Sequence, residues 1–218
     1  MSKNEQMHSF PRPSTGPGSL VQGAYGTRGN LELVVADPSD GLWVYWLNAD
    51  PDAAGDVAPG AWSDGLHFAA GERYTAAEIL QDTLGPDFLE VLALTADGVL
   101  QSWFWSPGPG FQRRGEDAAS GVADFHAVLA ADGTLTVALG GGSGVASSPA
   151  AHPARTWSPV AAELPDRTAA ERELAAAGVA DAVPGSARAA TSTRDGGTRE
   201  LTWRGADGVL RHLAVPLR

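Results

Sequence analysis

Apolar residues arrive in short runs separated by turn residues, not in helical stripes. Leu31 to Ala36 and Leu89 to Leu94 are two such runs, and each meets a turn and then a second apolar run. Asp97-Gly98, Asp132-Gly133 and Asp207-Gly208 supply turns that tolerate positive φ, and Pro38-Ser39-Asp40-Gly41 does so once more. The pattern predicts antiparallel hairpins. The runs are apolar at consecutive positions, as in Leu89-Glu90-Val91-Leu92-Ala93-Leu94, so both faces of each sheet must be covered.

The hairpins repeat. Leu20-Val21-Gln22 with Gly26 matches Ile79-Leu80-Gln81 with Gly85 at an offset of 59 residues. At an offset of 58, Leu31-Glu32-Leu33-Val34 then falls on Leu89-Glu90-Val91-Leu92, Leu42 on Leu100, and Tyr45-Trp46 on Trp103-Phe104. Glu200-Leu201 followed by Ala206 to Leu210 is a further copy, with Leu210 ten residues after the Glu, as in the first two. Phe125 to Val128 with Asp132-Gly133-Thr134-Leu135 reads as a third copy that has lost the Glu and the aromatic pair.

Small two-faced sheets that repeat are best buried against one another around an axis. The predicted fold is therefore all-β: a β-propeller-like repeat of about four small antiparallel sheets, with a β-sandwich as the alternative. Thr75-Ala76-Ala77-Glu78 carries the signature of a helix start, but its place in the repeat assigns Ala77 to Gln81 to a strand. Thr168 to Ala177, closed by Gly178, has no counterpart and predicts one short helical insertion within 166–180. Gly140 to Pro153 reads as a flexible loop, and the polar, Pro- and Gly-containing stretch 1–18 as a disordered leader. Residues 19–218 then form a single repeat domain.

Composition narrows the function. The 218 residues carry a formal charge of −11, which argues against a large nucleic-acid footprint. There is no Cys, which removes disulfides, thiolate catalysis and Cys-based zinc sites. No window reaches the roughly 18–20 apolar residues of a membrane helix, and 1–18 has no signal-peptide core. The expectation is a soluble chain, with its compartment undetermined. The five His have no metal-ligand spacing, and neither a phosphate loop nor a Gly-x-Ser-x-Gly elbow is present. No cofactor or metal is implied.

Val21-Gln22-Gly23, Gly29-Asn30-Leu31-Glu32-Leu33-Val34 and Gly41-Leu42-Trp43-Val44-Tyr45-Trp46 resemble the repeat unit of actinobacterial β-propeller proteins, which are similar to bacterial fucose-binding and tectonin-type lectin propellers. The match is strongest over 18–112. His212 matches the His of the family unit, where the first two copies carry Val44 and Ser102. The resemblance implies a propeller with sugar pockets between blades. Family members commonly close with more blades than the four hairpins present here, so the ring closes either within one chain or as a homodimer.

Sugar recognition needs flat rings at a concave surface with amides or carboxylates beside them. Tyr45, Trp46, Trp103 and Phe104 recur in register and read as packing positions. Trp43, Trp62 and Trp105 do not, and are the better ligand-binding candidates. Gln22 and Gln81 join them as recurring amides, with backbone hydrogen bonding as their plainer role. Glu32, Glu90 and Glu200 also recur, and a charge within a strand must be paired or at a rim. The leading expectation is a non-catalytic module binding glycans through aromatic pockets between blades. The alternative is a protein-interaction scaffold. A glycoside hydrolase ranks below both, because no pair of carboxylates across a cleft is visible.

Overall fold

The computed structural model describes residues 7–50, 56–148 and 154–217. The chain begins with β1 (Met7–Pro13) and runs through β2 (Ser19–Gln22), β3 (Leu31–Ala36), β4 (Leu42–Leu47) and β5 (Leu66–Phe68). A second set follows: β6 (Tyr74–Gln81), β7 (Leu89–Thr95), β8 (Leu100–Ser106) and β9 (Gly110–Arg113). The third is β10 (His126–Leu129), β11 (Leu135–Gly140), β12 (Ser143–Ser147) and β13 (Ser158–Ala161). The helix α1 (Thr168–Ala176) leads to β14 (Arg188–Ser192), β15 (Thr198–Arg204) and β16 (Val209–Pro216). These strands make four antiparallel sheets of four, in the orders β2-β3-β4-β5, β6-β7-β8-β9, β10-β11-β12-β13 and β1-β16-β15-β14.

The first strand of each sheet in this order, or the last of the fourth, is innermost. Residues of β2, β6, β10 and β14 together line an axial cavity of about 210 Å³. The propeller-like reading therefore holds, and the sandwich alternative falls. The fourth sheet takes its outer strand from the chain's beginning: β1 pairs with β16, setting His8 opposite His212. One chain thus supplies all four sheets and links its two ends by strand pairing.

The two-faced strand pattern explains the core. Leu31, Leu33 and Val35 of β3 turn toward the fourth sheet, with Phe10 and Leu210. Val34 and Ala36 turn the other way, against Ile79, Leu89, Val91 and Ala93 of the second sheet. Leu92 and Leu94 then face Leu135 and Val137 of the third. Between the third and fourth sheets α1 acts as a wedge: Ala170 and Leu174, one turn apart, pack on Leu201, Trp203 and Leu213.

Three expectations changed. The disordered leader is corrected over its described part, because Met7–Pro13 is a strand whose Phe10 is only 2% exposed. The segment looked like a tail because its pairing partner lies some 200 residues away, beyond any local pattern. Residues 1–6 lie outside the described residues. The flexible loop over 140–153 is corrected too: Ser143–Ser147 is β12, entered by a tight turn in which Gly140, Gly141 and Gly142 all have positive φ. Residues 149–153 lie outside the described residues. The third copy is one strand out of register. Its Asp132-Gly133 turn joins the first and second strands of its sheet, whereas Asp97-Gly98 and Asp207-Gly208 join the second and third. A hairpin has the same local signature wherever it falls in a sheet. The strand expected over Ala77 to Gln81, against the helix-start signature at Thr75, is present as part of β6: Ala77 and Ile79 are buried in the interface with the first sheet. The inserted helix falls where the sequence placed it.

Among the described residues no helix is long and apolar enough to cross a membrane. Truncating Phe10 should remove an anchor of the closing strand. Phe10→Ala is expected to cost about 3–5 kcal/mol in urea unfolding. A loss below about 0.5 kcal/mol would mean that β1 does not hold the fold together.

Candidate functional site

The recurring glutamates sit at one structural position, the second strand of a sheet, and each has its own environment. Glu90 is fully buried and is paired by two guanidiniums, Arg114 from its own sheet and Arg155 from the third, the latter at 3.0 Å. Burial raises the Glu90 carboxyl, and the two arginines pull against that rise. Glu200, also fully buried, accepts from His212 Nε2 at 2.7 Å and from the Ser192 and Thr198 hydroxyls, with Arg194 at 3.5 Å. Burial opposes its ionisation, but the hydrogen bonds outweigh it and hold the carboxyl below its ordinary value.

Glu32 is the exception. It is 8% exposed, and no described residue gives it a hydrogen bond or an ion pair. Strand register shows why. On the face of Glu90, β8 contributes Ser102, and Arg114 lies beside it, donating its backbone N–H to Ser102 O at 2.9 Å. On the face of Glu200, β16 contributes His212, with His8 opposite. On the face of Glu32 the same two places hold Val44 and Leu66, which pair with each other. Neither can donate a hydrogen bond from its side chain. Burial alone pushes the Glu32 carboxyl from 4.5 up to about 8, so it is protonated at neutral pH.

The carboxyl faces a pocket of about 580 Å³ between the first and second sheets. One wall is the sheet-one face, with Val44, Trp46, which pairs directly with Glu32, and Leu66. The other wall comes from the second sheet: Leu89, Trp105 and Phe111, the last two in contact at 5.1 Å between ring centroids. Tyr25, Asn30, Asn48, Asp56 and Asp87 line it too, beside Val57, Pro86 and Pro107, and among the described residues the lining contains no Lys, Arg or His. Asn48 holds the long β4–β5 connection: its Nδ2 donates to Val57 O at 2.8 Å, and its backbone bonds Ala61 and Gly60. That connection brings Asp56 and Val57 to the pocket, whereas the β8–β9 turn of the second sheet is only a few residues long.

Of the residues singled out by sequence, Trp105 alone lines this pocket. Trp43 lies elsewhere, under the Arg12 guanidinium at 3.6 Å and stacked on His67 at 4.9 Å. Trp62 packs edge-on to Phe10 at 5.0 Å and to His212 at 5.4 Å, between the first and fourth sheets. Gln22 and Gln81 are clasps between sheets. Gln81 Oε1 accepts from Ala24 N at 2.7 Å while its Nε2 donates to carbonyls at Asp82, Gly85 and Phe88. Gln22 makes the equivalent link to Thr193 of the segment after β14. By recurrence alone Trp46 reads as a packing position and Glu32 as a paired or rim charge. The signal that separates Glu32 from its copies was present as Val44 in the place of Ser102 and His212.

Chemically, the arrangement offers aromatic and aliphatic walls, a protonated carboxyl at the base and amide and carboxylate groups around it. Among the described residues no group of three or more His, Asp or Glu is placed to hold a metal ion. The fold and pocket together describe a β-propeller-like protein with an amphiphilic cleft between two blades. No protein-family model matches the chain, and a comparison with curated proteins finds no match.

The raised Glu32 carboxyl has a consequence for stability. Its folded value lies above its unfolded one, so the folded state holds the extra proton between about pH 4.5 and pH 8. In that window Glu32 destabilises the fold increasingly as pH rises, by up to roughly 1.4 kcal/mol per unit. Glu32→Gln is therefore expected to gain stability over the wild type as pH goes from 5 to 8.5. Urea unfolding at several pH values reads the difference, and a pH-independent difference would contradict it.

Proposed function

We propose that the protein is a non-catalytic binding module and that its ligand site is the pocket between the first and second sheets, with carbohydrate as the ligand class. The observation that carries the reading is the pocket's make-up: Trp46, Trp105 and Phe111 beside Asn30, Asn48 and Asp87. A sugar ring presents a C–H face for stacking and hydroxyls at its edge for polar groups, and this lining offers partners for both. The resemblance of the repeat unit to lectin propellers supports the same class.

One observation favours a second reading, a glycoside hydrolase. Glu32 is an acid kept protonated at neutral pH, and Asp56 and Asp87 share its pocket. It ranks second because both aspartates lie on connections between strands, and no described residue fixes either carboxylate with a hydrogen bond or ion pair. Such catalysis needs the second carboxylate at a set separation.

A glycan array followed by titration calorimetry tests both readings. Binding of at least one glycan class is expected, weakened at least tenfold in Trp105→Ala and retained in Trp43→Phe, which lies away from the pocket. Failure of every glycan class to bind would overturn the carbohydrate reading. Release of new reducing ends, lost in Glu32→Gln, would favour the hydrolase.

A further inference from the structure

We infer that the ligand of this pocket carries a compact cationic group, an ammonium, which pairs with the Glu32 carboxylate while the rest of the molecule lies against Trp46 and Trp105. The inference rests on the reading of the pocket as a ligand site, and adds the charge of what it takes.

The chain contains its own controls. The same glutamate occurs three times at one strand position. In two copies the fold supplies the partner: the Arg114 and Arg155 guanidiniums for Glu90, the His212 imidazole and the Arg194 guanidinium for Glu200. In the first copy the two positions that supply such partners carry Val44 and Leu66, and the pocket occupies the space beside the carboxyl. A buried carboxylate gains most from a partner that is both charged and able to donate hydrogen bonds. The rest of the lining agrees in sign. Among the described residues Asp56 and Asp87 are its other acids and none of its lining is basic, and the whole chain carries −11. Aromatic faces also attract ammonium groups, so Trp46, Trp105, Phe111 and Tyr25 add to the preference. Two sources fit this chemistry, an amino sugar and a simple organic amine.

Proton linkage gives the inference a signature. Glu32 is protonated before binding and must ionise to pair with an ammonium, so binding at pH 7 releases a proton. The other titratable groups facing the pocket are Asp56, Asp87 and Tyr25.

The test is calorimetry on the full chain with two matched pairs of probes: D-glucosamine against D-glucose, and 2-phenylethylamine against 2-phenylethanol. At least a tenfold preference for the amine is expected in one pair, with a proton released on binding as judged from buffers of different ionisation enthalpy. Glu32→Gln should abolish the preference and the proton release. Leu66→Arg, which places in the first sheet the residue found beside Ser102 in the second, should block amine binding while leaving the fold intact by circular dichroism. Equal affinities within both pairs, or a preference that survives Glu32→Gln, would overturn the inference. Binding of glucose and glucosamine alike would leave the carbohydrate reading standing without the charge. A Glu32-dependent preference confined to 2-phenylethylamine would keep the charge and remove the sugar. No binding in either pair would overturn the inference, while the glycan array decides the carbohydrate reading separately.

Discussion

A small sheet that is apolar on both faces is stable only between two neighbours, and this requirement organises the whole chain. Leu31, Leu33 and Val35 turn to one neighbour and Val34 and Ala36 to the other, and β7 repeats the division. A row of such sheets leaves a bare face at each end unless it closes. Closure here uses β1 on β16 to complete the fourth sheet and α1 to cover the face that the third sheet does not reach. Gln22 and Gln81 then tie two of the innermost strands, β2 and β6, to the segments that follow β14 and β2. An edge strand drawn from the opposite end of the chain couples the termini, so the circle is expected to lose stability as a unit.

The same requirement makes each recurring glutamate expensive. Its carboxyl lies within an interface built from Leu, Val and Ala, where an unpaired charge is strongly disfavoured. The second and fourth sheets meet this with arginine or histidine. The first sheet meets it by protonation, with a cleft beside the carboxyl. Three copies of one position thus show two solutions internal to the fold and one open to an outside partner. Repeats commonly diverge in this way, since the scaffold is set by the shared positions and a site arises where one copy departs from them.

Much of the architecture was legible because it is local and periodic. The offset of 58 residues exposed the strands, the turns and the register of Glu32, Glu90 and Glu200. What failed was what depends on distant pairing. Met7–Pro13 resembles a tail until β16 lies beside it, and Asp132-Gly133 looks the same between any two strands. The site was harder still. Recurrence marks both Tyr45 and Trp46, yet Tyr45 is buried with Phe10 while Trp46 lines the cleft. A pocket between sheets joins residues from two repeats, and one copy's register says nothing about what the next places opposite. The informative change was the loss of a partner, Val44 where the others have Ser102 and His212, rather than the gain of an unusual residue.

Among the described residues Glu32, alone of the three recurring glutamates, is buried without a partner. Carbon-detected NMR of side-chain carboxyls, assigned through Glu32→Gln, measures this directly as a function of pH. Glu32 is expected to titrate near pH 8. A midpoint near the ordinary 4.5 would contradict it, because it would mean that the carboxyl is solvated or already paired.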